Sequence, residues 1–274
     1  MSDSANLSPL GKEVIYKDTY DASLLFGIDR IENRNKLIIN DELTGVDIWN
    51  GYEISWLNPK GKPVIRQAVF SINCQTQNII ESKSFKLYLN SFNQNQFNDQ
   101  SEVIEIMQRD LSACANGEVS VEFFNVGQIN NAQDFSEFEC IDELDVDINQ
   151  YDVDANLLNA DATSLVLNQK YVSHLLKSNC PVTGQPDWGS VFIALDGPQL
   201  DQESLLKYLI SFRQHGEFHE HCVEQIFCDL NRLFNPSSLL VCAKYVRRGG
   251  LDINPVRVKN MDVELVKGIR VSRQ

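Results

Sequence analysis

The chain has 274 residues, a hydrophobic fraction of 43% and a formal net charge of −14. The length suits one large domain or two ordinary ones, and the apolar content excludes a disordered chain. The acidic charge makes the chain a poor candidate for binding the phosphate backbone of a nucleic acid. No apolar run approaches the ~20 residues that a membrane span needs. We therefore expect neither a nucleic acid nor a membrane as a direct partner.

The cysteines and the first residues predict where the protein works. Seven cysteines are scattered through the chain without a dense framework, which fits reduced thiols better than a disulfide scaffold. The segment Met1-Ser2-Asp3-Ser4 lacks the basic and apolar character of a secretory signal. The sequence therefore predicts a cytoplasmic protein.

The first half of the chain is predicted to contain two strands, two helices and a further strand, in that order. Hydrophobic periodicity and turn signals define these elements. They are strands at 52–57 and 65–72, a loop running into a helix at 79–89, a helix that begins after a possible N-cap at Asp99, and a strand at 118–126.

The second half repeats this order. Its elements are strands near 171–176 and 191–195, helices near 203–212 and 219–234, a strand at 239–246, a turn at 247–250 and a possible final strand after Pro255. The match extends to residues at a spacing of about 120: Ser84, Tyr88, Leu89, Ser91 and Phe92 align with Ser204, Tyr208, Leu209, Ser211 and Phe212. Self-similarity at a fixed spacing indicates tandem modules.

Residues 134–161, between the two halves, are crowded with Asp and Glu. A calcium site is conceivable there, but the segment lacks the central glycine and closing glutamate of an EF-hand loop. Because runs of like charge usually form solvated connections, we interpret the segment as an acidic connection between modules.

A short stretch of the second half carries a candidate nucleophile. Cys180 and Asp187 flank turn-forming Pro and Gly residues, which predicts a shaped loop between two strands. A thiolate needs a neighbouring base, cation or dipole to act as a nucleophile. Taken alone, Cys180 could instead be a small buried packing residue, and Asp187 could cap a turn.

Four blocks of sequence, in order, resemble one enzyme family. They are Glu81-Ser82-Lys83-Ser84-Phe85-Lys86-Leu87-Tyr88; Ser178-Asn179-Cys180-Pro181 with Gln185-Pro186-Asp187-Trp188; Glu217-Phe218-His219-Glu220; and Tyr245-Val246-Arg247-Arg248-Gly249-Gly250-Leu251-Asp252-Ile253-Asn254-Pro255. They resemble the NADPH-dependent 7-cyano-7-deazaguanine reductases (QueF) in their long, two-module form. The resemblance covers almost the whole chain and shows no departure at a functional position of the family.

The resemblance implies an α+β fold of tandem tunnelling-fold (T-fold) modules. Each module would be an antiparallel sheet with two helices packed on one face, related in architecture to GTP cyclohydrolase I. The expected modules are 1–148, which carries the signature motif 81–88, and 149–274, which carries the nucleophile Cys180. Modules of this kind assemble into barrels, so the resemblance also implies a homodimer or a larger homo-oligomer.

The implied reaction is the reduction of the nitrile of 7-cyano-7-deazaguanine to a primary amine, a step in making the queuosine base of tRNA. Cys180 would attack the nitrile carbon to give a thioimide, and Asp187 would protonate the nitrile nitrogen. Pro186 and Trp188 could form an apolar wall that keeps Asp187 protonated. His219 would contact substrate and handle a proton, and the start of a helix would favour its neutral imidazole.

The resemblance also assigns binding residues. Those for the deazapurine are Ile80, Glu81, Ser82, His219 and Glu220. Those for NADPH are Ser82, Lys83, Arg248 and Gly249. Carboxylates accept from the N–H groups of a guanine-like ring, and cationic side chains suit phosphates. No contact is assigned to Lys86.

Two NADPH would be consumed per turnover, with no flavin and no metal. His219, His221 and Cys222 suggest zinc ligands, but His221 and Cys222 point in different directions on a helix and no second ligand pair has a familiar spacing. Two other functions compete with reduction. They are hydrolysis of a nitrile by the cysteine, and a non-catalytic T-fold module that only binds a purine or pterin.

Overall fold

The structure, a computed structural model, describes residues 17–39, 42–128 and 133–274. The opening segment 1–4 lies outside these residues. The strands are β1 (Gly27–Asp29), β2 (Thr44–Leu57), β3 (Pro63–Asn73), β4 (Asn78–Ile80), β5 (Val119–Phe124), β6 (Glu139–Cys140), β7 (Ala160–Ser173), β8 (Lys177–Asn179), β9 (Pro186–Leu200), β10 (Ser238–Tyr245) and β11 (Leu251–Lys259). The α-helices are α1 (Ile31–Arg34), α2 (Ser82–Ser91), α3 (Gln100–Ala115), α4 (Gln202–Ser211), α5 (His219–Phe234) and α6 (Glu264–Lys267).

The chain divides into two compact units that interleave along the sequence. The first takes the described parts of Met1–Asn33, Asp47–Asn131 and Arg247–Asp252, and the second those of Arg34–Val46, Ala132–Val246 and Ile253–Gln274. The predicted modules, 1–148 and 149–274, are continuous segments of the chain, whereas each of these units takes three segments. The predicted boundary after residue 148 concerns the sequence repeat, and it stays a prediction.

The first unit contains the sheet neighbours β5, β3 and β2, in that order. The predicted turn between β2 and β3 is present, and the Asn58 side chain accepts hydrogen bonds from the backbone N–H groups of Lys60 and Lys62. Gly61 adopts a φ of 76° in this turn, a conformation that favours glycine. β1 and β4 form a separate antiparallel pair.

Helix α3 of the first unit begins where the sequence predicted. The side chain of Asp99 accepts from the backbone N–H groups of Ser101 and Glu102, which satisfies two donors at the open helix end. The apolar face of α3 is buried, with Val103, Met107 and Leu111 all fully inaccessible to solvent. This burial at helical spacing explains why the periodicity of the sequence located the helix.

The second unit is built on β11, β10, β9, β7 and β6, in that order, with β8 also pairing with β9. The pairs β10–β11, β9–β10, β7–β9 and β8–β9 are antiparallel, and the short β6 pairs with β7 in parallel. Every residue of β10 is buried, so this strand lies in the interior of the unit. The α+β class and the antiparallel sheets with accompanying helices of the T-fold are confirmed.

The aligned residues of the two halves make the same hydrogen bonds. Tyr88 of α2 donates to Asp110 of α3, and Tyr208 of α4 donates to Asp229 of α5. The hydroxyl groups of Ser91 and Ser211 each donate to the carbonyl of the preceding tyrosine of the pair, Tyr88 and Tyr208 respectively. Equivalent side chains therefore tie equivalent helices together, as expected for duplicated modules.

Several predicted boundaries differ from the structure. The segment predicted as a loop before α2 contains the strand β4, because Ile79 and Ile80 pair with the backbone of β1. The final strand begins at Leu251, so Pro255 lies inside β11 and not before it. The strand predicted near 171–176 corresponds to the end of the long strand β7, which starts at Ala160 and ends at Ser173. Apolar runs mark strands well, but their ends depend on pairing partners distant in sequence.

The acidic segment 134–161 contributes the strand β6 and a short 3₁₀ turn at Ala155–Leu157. Asp154 caps that turn through the backbone N–H of Asn156. The Asp142 carboxylate accepts a hydrogen bond from the hydroxyl of Ser173, the last residue of β7, and another from the backbone N–H of the next residue, His174. Some of its carboxylates thus stabilise local backbone. Across the described ranges, no helix is both long enough and apolar enough to cross a membrane.

Candidate active site

The candidate nucleophile lies in the hairpin between β8 and β9. Cys180 follows β8, and the loop to β9 closes on itself: the Cys180 N–H donates to the Gln185 carbonyl at 2.8 Å, and the Gly184 N–H donates to the Cys180 carbonyl at 3.0 Å. Gly184 adopts a φ of 66°, which a residue with a side chain adopts only at a cost. The predicted shaped loop is therefore present and fixes the backbone of Cys180.

A backbone donor points at the sulfur of Cys180. The N–H of Thr183 lies 3.5 Å from Cys180 Sγ, and the thiol is half-buried and free of any disulfide. The loop thus presents a half-buried sulfur with a backbone N–H directed at it.

Asp187 lies in the strand β9 and not in the loop where it was predicted. It pairs with Ser178 of β8, and the residue as a whole is 5% exposed. The predicted wall of Pro186 and Trp188 is wrong, because both residues are exposed. Neighbours along a strand point to opposite faces, so the two residues flanking Asp187 face away from it.

His219 is the first residue of α5, as predicted, and it faces Asp187. Its Nε2 lies 3.6 Å from Asp187 Oδ2. The imidazole stacks on the ring of Tyr245, with ring centroids 3.8 Å apart and an angle of 19° between the planes. The next residue, Glu220, is buried at 3% exposure. The start of α5 therefore brings His219 to Asp187 and carries a buried carboxylate, Glu220, as its next residue.

A backbone link holds the hairpin against the start of α5. The N–H of Asn179, at the end of β8, donates to the carbonyl of His215 at 2.7 Å, and Asn179 also forms a bridge with Gly216. Cys180 directly follows Asn179 in the chain, and His219 lies four residues after His215. This pairing explains why two sequence blocks far apart along the chain meet in one unit.

Glu81 is the N-cap of α2 in the first unit. Its two carboxylate oxygens accept from the backbone N–H groups of Lys83 and Ser84, each at 2.7 Å. Burial raises the pKa of Glu81, although these two N–H groups and the ammonium groups of Lys86 and Lys83 act in the opposite direction. Ile80 and Ser82 flank it at the corner between β4 and α2. The carboxylate of Glu81, which was predicted to bind the substrate, is thus fixed at the N-terminus of α2.

Gly249 and Lys86 are in contact within the first unit. Gly249 has a φ of 59°, and a β-carbon at this position would lie 3.1 Å from Cδ and 3.2 Å from Cε of Lys86. The half-buried Arg248 precedes this glycine. Arg247 forms an ion pair with Glu53 and packs over the ring of Tyr52. The first unit thus carries Lys83 and Lys86 on α2, with Lys86 against Gly249, and Arg248 next to that glycine in sequence.

Two family descriptions match the chain. The one described as "Nitrile reductase, 7-cyano-7-deazaguanine-reductase N-term" matches residues 16–123, and the one described as "QueF-like protein" matches residues 186–263. A protein of Chromobacterium violaceum named NADPH-dependent 7-cyano-7-deazaguanine reductase is 50% identical over 272 residues, which covers 97% of this chain and 96% of the relative. The chain belongs to the family of NADPH-dependent 7-cyano-7-deazaguanine reductases.

Two further proteins with this name have nearly the same sequence identity to the chain. Proteins of the same name from Azoarcus sp. and Bordetella avium are each 49% identical, cover 94% and 97% of this chain, and are themselves covered over 92% and 98% of their lengths. A crystal structure described as the archaeosine synthase QueF-Like in the apo form is 23% identical, covers 36% of this chain and 96% of its own, and has a TM-score of 0.31. At that score the likeness adds nothing to the fold described above.

Three residues beside the predicted ones were not predicted from the sequence: two act through their side chains and one through its backbone carbonyl. Tyr245 stacks on His219, Lys86 packs against Gly249, and His215 holds the hairpin through its carbonyl. Tyr245 and Lys86 lie inside the matching sequence blocks, which was the available signal, but no role was assigned to either. Their contacts are made between elements, so local sequence could not reveal them.

One group of potential metal ligands lies outside the predicted site of the reductase. Within the described ranges, the only group of three or more close ligand atoms from His, Cys, Asp and Glu consists of Cys140, Asp142 and His174. It includes none of the residues that suggested zinc in the sequence, His219, His221 and Cys222. The expectation that the enzyme uses no metal and no flavin stays a prediction.

Proposed function

We propose that the protein reduces the nitrile of 7-cyano-7-deazaguanine to the primary amine 7-aminomethyl-7-deazaguanine, in the route to the queuosine base of tRNA. The relatives that are about half identical to it over nearly its whole length carry the name of this reductase. The observation that carries the proposal is the approach of His219 Nε2 to Asp187 Oδ2 within 3.6 Å, at the base of the hairpin that bears Cys180.

Cys180 forms the covalent intermediate. Its thiolate attacks the nitrile carbon, a C–S bond forms, and one π bond of the nitrile opens to give a thioimide. The Thr183 N–H, 3.5 Å from Sγ, stabilises the thiolate before attack. After the first reduction the C–S bond breaks, and the electron pair returns to sulfur as the imine forms. Covalent catalysis divides one difficult step into easier ones.

Asp187 and His219 move the protons. Asp187 donates a proton to the nitrile nitrogen as the thiolate adds, so that no nitrogen anion forms. His219 contacts the substrate and supplies or relays a proton in the later reduction. General acid–base groups of this kind contribute roughly 10²–10⁴-fold each. The two side chains are 7% and 15% exposed, which keeps bulk water from competing for these protons.

Basic residues of the first unit suit the phosphates of NADPH. Lys83, Lys86 and Arg248 supply positive charge, and Gly249 offers backbone without a side chain, which lets a phosphate approach closely. Ser82, the first residue of α2, adds a hydroxyl. Bound NADPH supplies hydride, and reduction of a nitrile to a primary amine takes two hydrides, so two NADPH are consumed per turnover.

Carboxylates recognise the deazapurine. Glu81 and Glu220 are 1% and 3% exposed, and each is proposed to accept N–H groups of the guanine-like edge. Ile80 and Ser82 complete the contact around Glu81. Because each carboxylate oxygen of Glu81 has a further lone pair, its helix-capping bonds to Lys83 and Ser84 leave acceptor capacity for a ligand.

The setting of the reaction follows from charge and chemistry. The substrate is a free base, so no direct contact with tRNA is required, which agrees with the net charge of −14. We propose a cytoplasmic enzyme that works as a homodimer or a larger homo-oligomer. It uses neither a metal nor a flavin.

The experiment is intact-mass measurement of the protein mixed with 7-cyano-7-deazaguanine in the absence of NADPH. We expect one adduct of the substrate's mass per chain, absent in Cys180→Ala and discharged when NADPH is added. Cys140→Ala is the matched control, because Cys140 is an exposed free thiol outside the hairpin; its adduct should persist.

Other outcomes would assign a different function. An adduct that water discharges, with no fall in NADPH absorbance, would identify a nitrile hydrolase. A folded wild-type protein that binds the substrate but forms no adduct and oxidises no NADPH would identify a purine-binding module.

A further inference from the structure

Tyr245 packs its ring against the imidazole of His219. It is the last residue of β10, it is fully buried, and it pairs with Gly189 of β9. Its ring is nearly parallel to the His219 imidazole at a centroid separation of 3.8 Å. Stacked rings at this distance are in full van der Waals contact, so the tyrosine ring forms one wall of the histidine's position.

Gly189 leaves room for this ring. A β-carbon at residue 189 would lie 3.3 Å from both Cδ1 and Cε1 of Tyr245 and 3.4 Å from Cδ2 of Leu176. The first two distances are tighter than ordinary van der Waals contact. The φ of Gly189 is not positive, so this glycine is required for space rather than for backbone conformation. The tyrosine ring is therefore held by the backbone of β9.

The hydroxyl of Tyr245 plays no evident part in this arrangement. It is buried near Ser178 and Cys222 but forms no well-directed hydrogen bond to either, and Ser178 Oγ is equally unsatisfied. Burial raises the pKa of Tyr245 well above its usual value, and the Cys222 thiol and Asp187 add to the effect. The phenol thus stays protonated and is unsuited to donate or accept the protons of the reaction.

We propose that Tyr245 is a positioning residue for His219, and that its ring, not its hydroxyl, holds the imidazole plane so that Nε2 faces Asp187. The terminal torsion of histidine is broad and roughly two-fold, so a lone residue at a helix start would sample several orientations. A catalytic group displaced by about 1 Å can lose roughly 10²-fold in rate. The inference rests on the proposed nitrile reduction, because it concerns how His219 is oriented for that reaction.

The test compares Tyr245→Phe with Tyr245→Met. Phenylalanine keeps the ring, and methionine fills a similar space with a flexible chain. We expect Tyr245→Phe to retain kcat within about twofold and Tyr245→Met to lose about tenfold or more. The NMR resonance of the His219 ring proton between the two nitrogens reports the stack directly, because the tyrosine ring current displaces it. It should keep its position in Tyr245→Phe and move in Tyr245→Met.

The outcomes separate a positioning role from a structural one. A folded Tyr245→Met protein whose histidine resonance moves while kcat is unchanged would overturn the proposal. So would a Tyr245→Phe protein that loses as much kcat as Tyr245→Met. If Tyr245→Met does not fold, Tyr245→Leu takes its place in the same comparison. Failure of the proposed function is distinct, since the wild type itself would then form no adduct and oxidise no NADPH.

Discussion

The His219 imidazole and the Asp187 carboxylate face each other at 3.6 Å between Nε2 and Oδ2. This separation is longer than a good hydrogen bond. In the proposed reaction, Asp187 donates a proton early and His219 acts later. The relationship joins the start of a helix to the start of a strand, which lie far apart along the chain.

Asp187→Asn should abolish fast thioimide formation. An amide of the same shape cannot supply the proton that the nitrile nitrogen needs, so we expect adduct formation to slow by about 10²–10⁴-fold. Stopped mixing followed by intact mass measures the rate. Asp196→Asn is the matched control, because it removes the same charge from the same strand. The Asp196 carboxylate accepts hydrogen bonds from the Ser238 hydroxyl and the Asn168 N–H. Equal rates in the wild type and Asp187→Asn would exclude Asp187 as the acid.

Gly249→Ala should weaken NADPH binding without preventing the adduct. The new β-carbon meets Lys86 at 3.1 Å, and the φ of 59° disfavours alanine. We expect the KM for NADPH to rise about fivefold or more, with thioimide formation unchanged. Gly61→Ala is the control, since its φ of 76° is similar but its nearest neighbour, the Gln96 side chain, is 3.8 Å away. A KM that rises equally in both variants would point to general backbone strain.

Glu224→Gln should destabilise the second unit strongly. Glu224 is fully buried between the guanidinium groups of Arg257 and Arg34, which bond its carboxylate at 2.7 Å and 2.6 Å. Removing one charge of a buried cluster leaves the others uncompensated and typically costs about 3–5 kcal/mol. Urea denaturation of both proteins at pH 7 gives the difference. A loss below about 1 kcal/mol would contradict the expectation.

The stabilising effect of Glu224 should depend on pH. Burial would raise its pKa, but Arg257 and Arg34 dominate and lower it below the ordinary value. A lowered pKa in the folded state means that the contribution is complete above the unfolded pKa of about 4.3 and is lost as the pH falls below it. The difference in free energy of unfolding between wild type and Glu224→Gln should therefore be constant from pH 7 to about 5 and shrink below about 4. A difference that grows in acid would refute the sign.

Ser84→Ala and Ser204→Ala should cost similar free energies. Ser84 Oγ donates to the Glu81 carbonyl and accepts from the Phe26 N–H, and Ser204 makes the equivalent bonds to Asp201 and Asn159. Each substitution leaves a backbone N–H without this acceptor, so we expect a loss of about 1–3 kcal/mol in each case. Urea denaturation tests it. A neutral result in only one of the two would show that the repeated bonds are not energetically equivalent.

The sequence located most elements because the signals were local. Helix α5 was predicted at 219–234 and spans His219–Phe234, since its apolar residues recur at helical spacing over four turns. The N-cap at Asp99 was also predicted from a local signal, because Asp is a preferred N-cap residue directly before an apolar periodic segment. The short strands β4 and β8 were not predicted, because three residues carry no periodicity and exist only through their partners.

By itself the sequence determined the order of most strands and helices, the self-similarity of the two halves at a fixed spacing, and the motifs whose resemblance to a known family implied the α+β class, because motifs and periodicities are local properties of the chain. Only the tertiary structure decided that Asp187 turns inward while Pro186 and Trp188 stay exposed, since the face of a strand follows from its pairing. It also decided the stack of His219 on Tyr245 and the contact of Lys86 with Gly249. Such contacts depend on packing between elements distant in sequence, which no local pattern encodes.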